Sequence, residues 1–139
     1  MTEPVITPEL LARVEAATGP DRELDTAIAI ALRIGAEGYP KFPLGSFKAG
    51  YVQADMGRDG WSVGWHIQPL TASLDAALAL VERVLPGWWW MLRSGDGYDA
   101  VLTPTWRSQD GVVGEHKTPA LALLSAMLRA LGTHEEDKT

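Results

Sequence analysis

Apolar positions near the start of the chain recur at helical spacing. Leu10, Leu11, Val14 and Ala17 share one face, and the run opens on Thr7, Pro8 and Glu9. That trio supplies a hydroxyl cap, a proline at the first helical position and a carboxylate near the positive end of the helix dipole. Gly19 and Pro20 stop the helix, and Asp21 caps a second one that runs to about Ile34. Its inner face is Leu24, Ala27, Ile28, Ala31 and Leu32, with Arg22, Glu23, Asp25 and Arg33 expected in water. Residues 35–50 follow neither the helical nor the strand period and carry Tyr39, Pro40, Phe42, Pro43 and Phe47. They predict a long ordered loop, uncommon in a small domain and a good place for function.

Beyond the loop the period changes to two. Tyr51 to Met56 and Trp61 to Ile67 flank Gly57, Arg58, Asp59 and Gly60, which predicts a hairpin. In its second strand Trp61, Val63, Trp65 and Ile67 form one apolar face. Ser73 opens a third helix with Leu74, Ala77, Leu78, Val81 and Leu85 inward, ended by Pro86 and Gly87. A second hairpin joins Trp88–Arg93 to Tyr98–Trp106 through Ser94, Gly95, Asp96 and Gly97, and Val112 with Val113 adds a short edge strand. Thr118 caps and Pro119 starts a last helix through Leu131, whose polar members are Ser125 and Arg129. Gly132 ends it, and residues 133–139 form a frayed acidic tail.

These elements predict an α+β fold: a small antiparallel sheet of about four strands in two hairpins, layered with helices in the order ααββαββα. A chain of 139 residues is one domain with room for one core. The last helix is apolar almost all round, and the third nearly so. One small sheet covers only one side of each, so a homodimer is expected to bury the rest; the alternative is a three-layer monomer in which the first two helices pack across the chain and cover everything. The core is expected at Leu74, Leu78, Val81, Leu121, Leu124 and Leu128 packed on the sheet tryptophans.

Composition narrows the chemistry. The absence of cysteine excludes disulfides and thiolate zinc sites. A net charge of -6 repels polyanions, and no basic run is present, so a sequence-independent grip on nucleic acid is disfavoured. No apolar stretch approaches the about 20 residues that a membrane span needs. The N-terminus does not read as a signal peptide, so the expected location is the host-cell cytoplasm.

Three blocks carry a family resemblance: EAATGPDREL at Glu15–Leu24; TASLDAALALV at Thr71–Val81 with the turn at Pro86–Trp88; and TPALALLSAMLRA at Thr118–Ala130. In order and spacing they resemble the phage ABA sandwich family of small phage and prophage proteins. The resemblance implies a helix, sheet, helix layering and no established biochemical activity. The chain departs from the family in the loop 35–50 and in the triple Trp88, Trp89, Trp90.

Candidate sites are few. Six tryptophans, at 61, 65, 88, 89, 90 and 106, concentrate in the inferred sheet. Most such indoles fill a core; an aromatic platform for a flat ligand or a partner loop is the functional alternative. In a strand Trp88 and Trp90 share a face and Trp89 opposes them, so Trp89 is the indole expected to be exposed. The candidate binding residues are Tyr39, Phe42, Phe47, Trp89, Arg93 and Arg107. His66 and His116 lie next to strands, where a metal or acid/base pair with Asp55, Asp99 or Glu115 is open in principle. Nothing in the spacing forces it, surface histidines are the expectation, and no nucleophile motif occurs. The glycines of Gly57–Gly60 and Ser94–Gly97 lie between strands, where hairpin turns explain them, and neither matches a phosphate loop.

The expectation is therefore a non-catalytic accessory binding protein of phage or prophage origin, with no cofactor and no metal. It would act as a counter-defence factor that sequesters a host protein or a small nucleotide-like signal. The alternative is a virion structural or assembly protein, distinguished by fixed copy number in purified particles.

Overall fold

A computed structural model of the chain describes residues 6–39, 42–55, 62–104 and 111–136. Among these residues, four helices and two three-stranded antiparallel sheets form an α+β fold. The helices are α1 (Pro8–Ala16), α2 (Arg22–Ala31), α3 (Leu74–Val84) and α4 (Pro119–Glu136). The strands are β1 (Leu44–Gly45), β2 (Tyr51–Asp55), β3 (Ser62–His66), β4 (Trp89–Ser94), β5 (Tyr98–Thr103) and β6 (Val112–His116).

All four helix starts follow from local chemistry. Thr7 Oγ1 accepts from the Leu10 amide at 3.2 Å and Asp21 Oδ1 from the Leu24 amide at 3.1 Å. Ser73 Oγ accepts from the Ala76 amide at 3.1 Å and Thr118 Oγ1 from the Leu121 amide at 3.2 Å. Each satisfies an amide that the first helical turn leaves without a partner.

The sheet differs from the expected one. The two hairpins do not join; each recruits a third strand, giving the orders β1-β2-β3 and β4-β5-β6. The first sheet packs Val52 and Ile67 on Ala29 of α2, with Leu44 and Trp65 at the margin. The second lays its inner face on α4, where Ala100 and Leu102 are fully buried. Strand β1 falls inside the predicted loop 35–50, and β6 is longer than the edge strand expected at Val112 and Val113. The predicted turn at Gly57–Gly60, with Met56 and Trp61 beside it, lies outside the described residues, as does Trp106.

Helix α4 is the centre of the molecule. Strands β5 and β6 cover one side of it, and α1 and α3 pack on it as well. Every residue from Ala120 to Leu128 is buried, Ser125 included. Arg129 reaches out to Glu15 on α1, with Nη2 to Oε1 at 2.5 Å, and donates to the Val113 carbonyl at 3.2 Å. One chain thus covers the helix whose apolar circumference was expected to need a second copy. The helix also runs through Gly132 to Glu136 instead of ending there.

Two further expectations are corrected by packing. Leu74, at the first turn of α3, is 36% exposed, and Leu80 takes its place in the core beside Ala77 and Val81. Asp25 is fully buried, not wet. Its Oδ1 accepts from the Thr71 amide at 2.7 Å and its Oδ2 pairs with Arg22 Nη1 at 2.9 Å. Arg22 Nη2 donates to the Ile67 carbonyl at 2.9 Å, and Thr26 Oγ1 accepts from the Gly50 amide at 2.7 Å. These bonds fasten α2 to one end of the first sheet, where Gly50 and Ile67 face each other, and to Thr71 beyond it, and they satisfy groups that would be costly to bury alone. Asp25→Ala leaves the Thr71 amide without its charged acceptor. We expect it to lower stability by about 2 kcal/mol, the usual worth of a hydrogen bond to a charged group. Urea unfolding checks this, and an unchanged midpoint with unchanged slope would contradict it.

No helix among the described residues is long and apolar enough to cross a membrane.

Candidate functional site: the open face of the second sheet

The register of the second sheet sorts its side chains. Trp90 stands opposite Leu102, and Leu102 opposite Val112; Leu92 stands opposite Ala100, and Ala100 opposite Gly114. Directly opposed residues in an antiparallel ladder point to the same face. These are therefore the inner rows, on the side where α4 packs against β5 and β6. Gly114 is what lets the helix come so close. A methyl there would meet the Ala122 carbonyl oxygen and lie 2.5 Å from the Ala126 amide nitrogen.

The outer face carries the alternate residues. One row runs Met91, Val101, Val113; the next runs Arg93, Asp99, Glu115; and Trp89 stands opposite Thr103. Among the described residues no helix packs on this face. Trp89 is 56% exposed, Met91 55% and Val113 38%. Exposed apolar side chains scattered singly are ordinary; here Met91 and Val113, with the half-buried Val101 between them, form a contiguous row beside an indole, which makes this face the candidate site. Arg93 and Asp99 pair across the strands at 3.6 Å and close the patch at the turn end.

Strand β4 is also exposed on its inner side. Its single ladder partner among the described residues is β5, and α4 packs chiefly on β5 and β6. Trp90, although on the inner face, is accordingly 46% exposed, whereas Trp88 packs against the core. The triple tryptophan thus divides by position: one anchors, two are offered to solvent.

The remaining candidates form two other groups on the first half of the chain. Tyr39 stacks on Trp65, with centroids 6.0 Å apart and planes at 12°, and meets Phe42 edge-on. The Trp65 indole lies on Gly35, which has φ +84°, and donates to the Ile34 carbonyl at 3.0 Å. Arg33, at φ 53°, donates to the carbonyls of Tyr39 at 2.6 Å and Phe42 at 2.8 Å. This cluster holds the loop in place. Phe47, 68% exposed, meets Tyr51 edge-on at 5.0 Å, and Tyr51 meets His66 at 5.1 Å. The ammonium of Lys48 sits 5.7 Å from the Phe47 ring and 5.4 Å from the Tyr51 ring. The aromatic faces of this second group are therefore engaged by the protein's own cation. Trp89 and Arg93 belong to the open sheet face, and Arg107 lies outside the described residues.

No group of three or more His, Asp or Glu side chains able to hold a metal ion occurs among the described residues. No family model, no curated protein and no solved structure matches the chain. The site is therefore argued from its own geometry.

Sequence reasoning missed Met91, Val101 and Val113 as members of this surface, and Trp90 as an exposed indole on the inner side of the same strand. Exposure of Trp89 was legible from strand alternation. That of Trp90 was not, because it depends on how far α4 extends across the sheet.

Proposed function

We propose that this chain is a non-catalytic accessory binding protein, of phage or prophage origin, that acts in the host cytoplasm by covering a host protein through the outer face of its second sheet. One observation carries the reading: helix α4 is buried within one chain, while among the described residues no helix or sheet lies over the row Met91, Val101, Val113 and the Trp89 indole. Indole and methionine side chains are enriched at interface centres, and truncating such anchors costs more than truncating the rim. With a net charge of -6 and Asp99 and Glu115 beside the patch, the chain favours a partner whose apolar surface has a basic rim. The phage origin is supported by the sequence resemblance alone.

Capture from host lysate, comparing the parent protein with Val113→Lys, tests this. Val113 is exposed on a strand, so the variant is expected to keep its thermal transition. A host protein retained by the parent in fixed ratio and lost by Val113→Lys supports the proposal. Equal capture by both contradicts it, and so does retention of a small molecule in place of a protein.

A further inference from the structure

The edge of β4, which no strand among the described residues pairs with on the side away from β5, has a symmetry that its outer face alone does not show. Resting on the proposal above that this sheet is a contact surface, we infer that β4 pairs antiparallel with β4 of a second copy, with Met91 on the two-fold axis. The two three-stranded sheets then join into one of six strands.

An antiparallel pair of identical strands is related by an axis perpendicular to the sheet, so outer residues must face outer residues. With Met91 opposite Met91, Trp89 faces Arg93 of the second copy, and Trp90 faces Leu92. Each indole then receives a cation or an aliphatic side chain, and no like charges are opposed. Charge favours this edge over the rest of the surface. Each copy carries -6 in total, yet Trp89–Ser94 holds no acidic residue and one arginine. Two acidic chains can approach there without the repulsion that the surface elsewhere imposes.

Space allows it as well. Strands lie about 4.8 Å apart, and α4 sits over β5 and β6. The two copies of α4 end up roughly 20 Å apart across the axis, about twice the 8–10 Å of packed helices. The exposed Trp90 side chains lie in that gap. The six-residue edge is apolar from Trp89 to Leu92, has neither proline nor lysine, and has its one charge, Arg93, paired with Asp99 of the same chain, so it lacks most of the devices that keep solitary edges unpaired. The area covered is small, roughly 300–400 Å² per copy against about 800 Å² for a standard interface. The pair is therefore weak and reversible, and it widens the apolar face offered to a partner.

Oxidative trapping reads the register, because the chain contains no cysteine. Opposed residues in an antiparallel pair have Cα atoms about 4.5 or 5.5 Å apart, within reach of a disulfide. Met91→Cys, oxidised at fifty micromolar, is expected to run at twice the mass of one chain on a non-reducing gel. Trp89→Cys is expected to stay monomeric, since the two copies of residue 89 lie about 13 Å apart along the strands, beyond the disulfide limit of about 7 Å. Adding Trp90→Lys to Met91→Cys is expected to reduce the cross-link at least tenfold by opposing the strand pair on its inner side. A Met91→Cys protein that stays monomeric overturns the inference, and so does equal cross-linking at 89 and 91, which would indicate random collision. The two proposals separate cleanly. Val113→Lys leaves the cross-link intact while abolishing host-protein capture, and Trp90→Lys does the reverse.

Discussion

Gly114→Val is expected to destabilise the protein by about 3 kcal/mol or more, the upper end of what overpacking costs. Gly114 lies in β6 on the inner face, where the backbone of α4 passes directly over it. The atoms a new side chain would meet belong to the Ala122 carbonyl and to the amide and Cα of Ala126, the last at 3.0 Å. None is the end of a flexible side chain. The helix must therefore lift, and lifting it loosens Leu121, Leu124 and Leu128, all fully buried. Small domains hold only about 5–15 kcal/mol in total, so the variant should melt at least 10 °C lower or fail to accumulate. Gly114→Ala should show the same effect in smaller measure. A Gly114→Val protein with the parent's melting temperature would mean that α4 does not approach β6 this closely.

Leu124→Ala should cost about 3–5 kcal/mol for a different reason. Leu124 has no exposed surface and sits where α4 is covered by the rest of the chain. Truncation removes the transfer free energy of the side chain and leaves a cavity that a clamped helix cannot collapse. The core around it is one cluster drawn from all four helices and the second sheet. Unfolding by heat or urea should therefore remain a single transition, shifted as a whole. Two separated transitions, or a parent-like midpoint, would contradict this.

Local chemistry was legible in the sequence where the structure depends on neighbours three or four residues away. Thr7, Asp21, Ser73 and Thr118 each cap the helix that follows, because the cap is a bond between near neighbours. The order of helices and hairpins was legible for the same reason. What depended on distant packing was not. Asp25 has the same local setting as any first-turn carboxylate, and only the arrival of Thr71 from another part of the chain makes it a buried acceptor. Leu44 and Gly45 pair because β2 offers Ala54 and Gln53 as partners, which no local pattern announces. Gly114 did carry a signal, since a glycine inside a strand marks a close backbone approach, but the helix that approaches it is known only from the fold.

The candidate site shows the same division. Alternation along β4 separated Trp89 from its neighbours, whereas the open row Met91, Val101, Val113 required the register of three strands. The apolar circumference of α4 pointed to a second copy at the helices. In the fold that circumference is satisfied internally, and the uncovered surface moves to the opposite face of the sheet it rests on.

The central claim, that the outer face of the second sheet is open in the free protein, is tested most directly by thiol labelling. With no native cysteine, Met91→Cys and Leu102→Cys each present one thiol, the first on the outer face and the second beneath α4. At low micromolar protein under native conditions, Cys at position 91 is expected to react with a maleimide as fast as a thiol in an unfolded peptide, and at position 102 at least a hundredfold more slowly. Equal, slow reaction at both positions would show that the face is covered and would contradict the account.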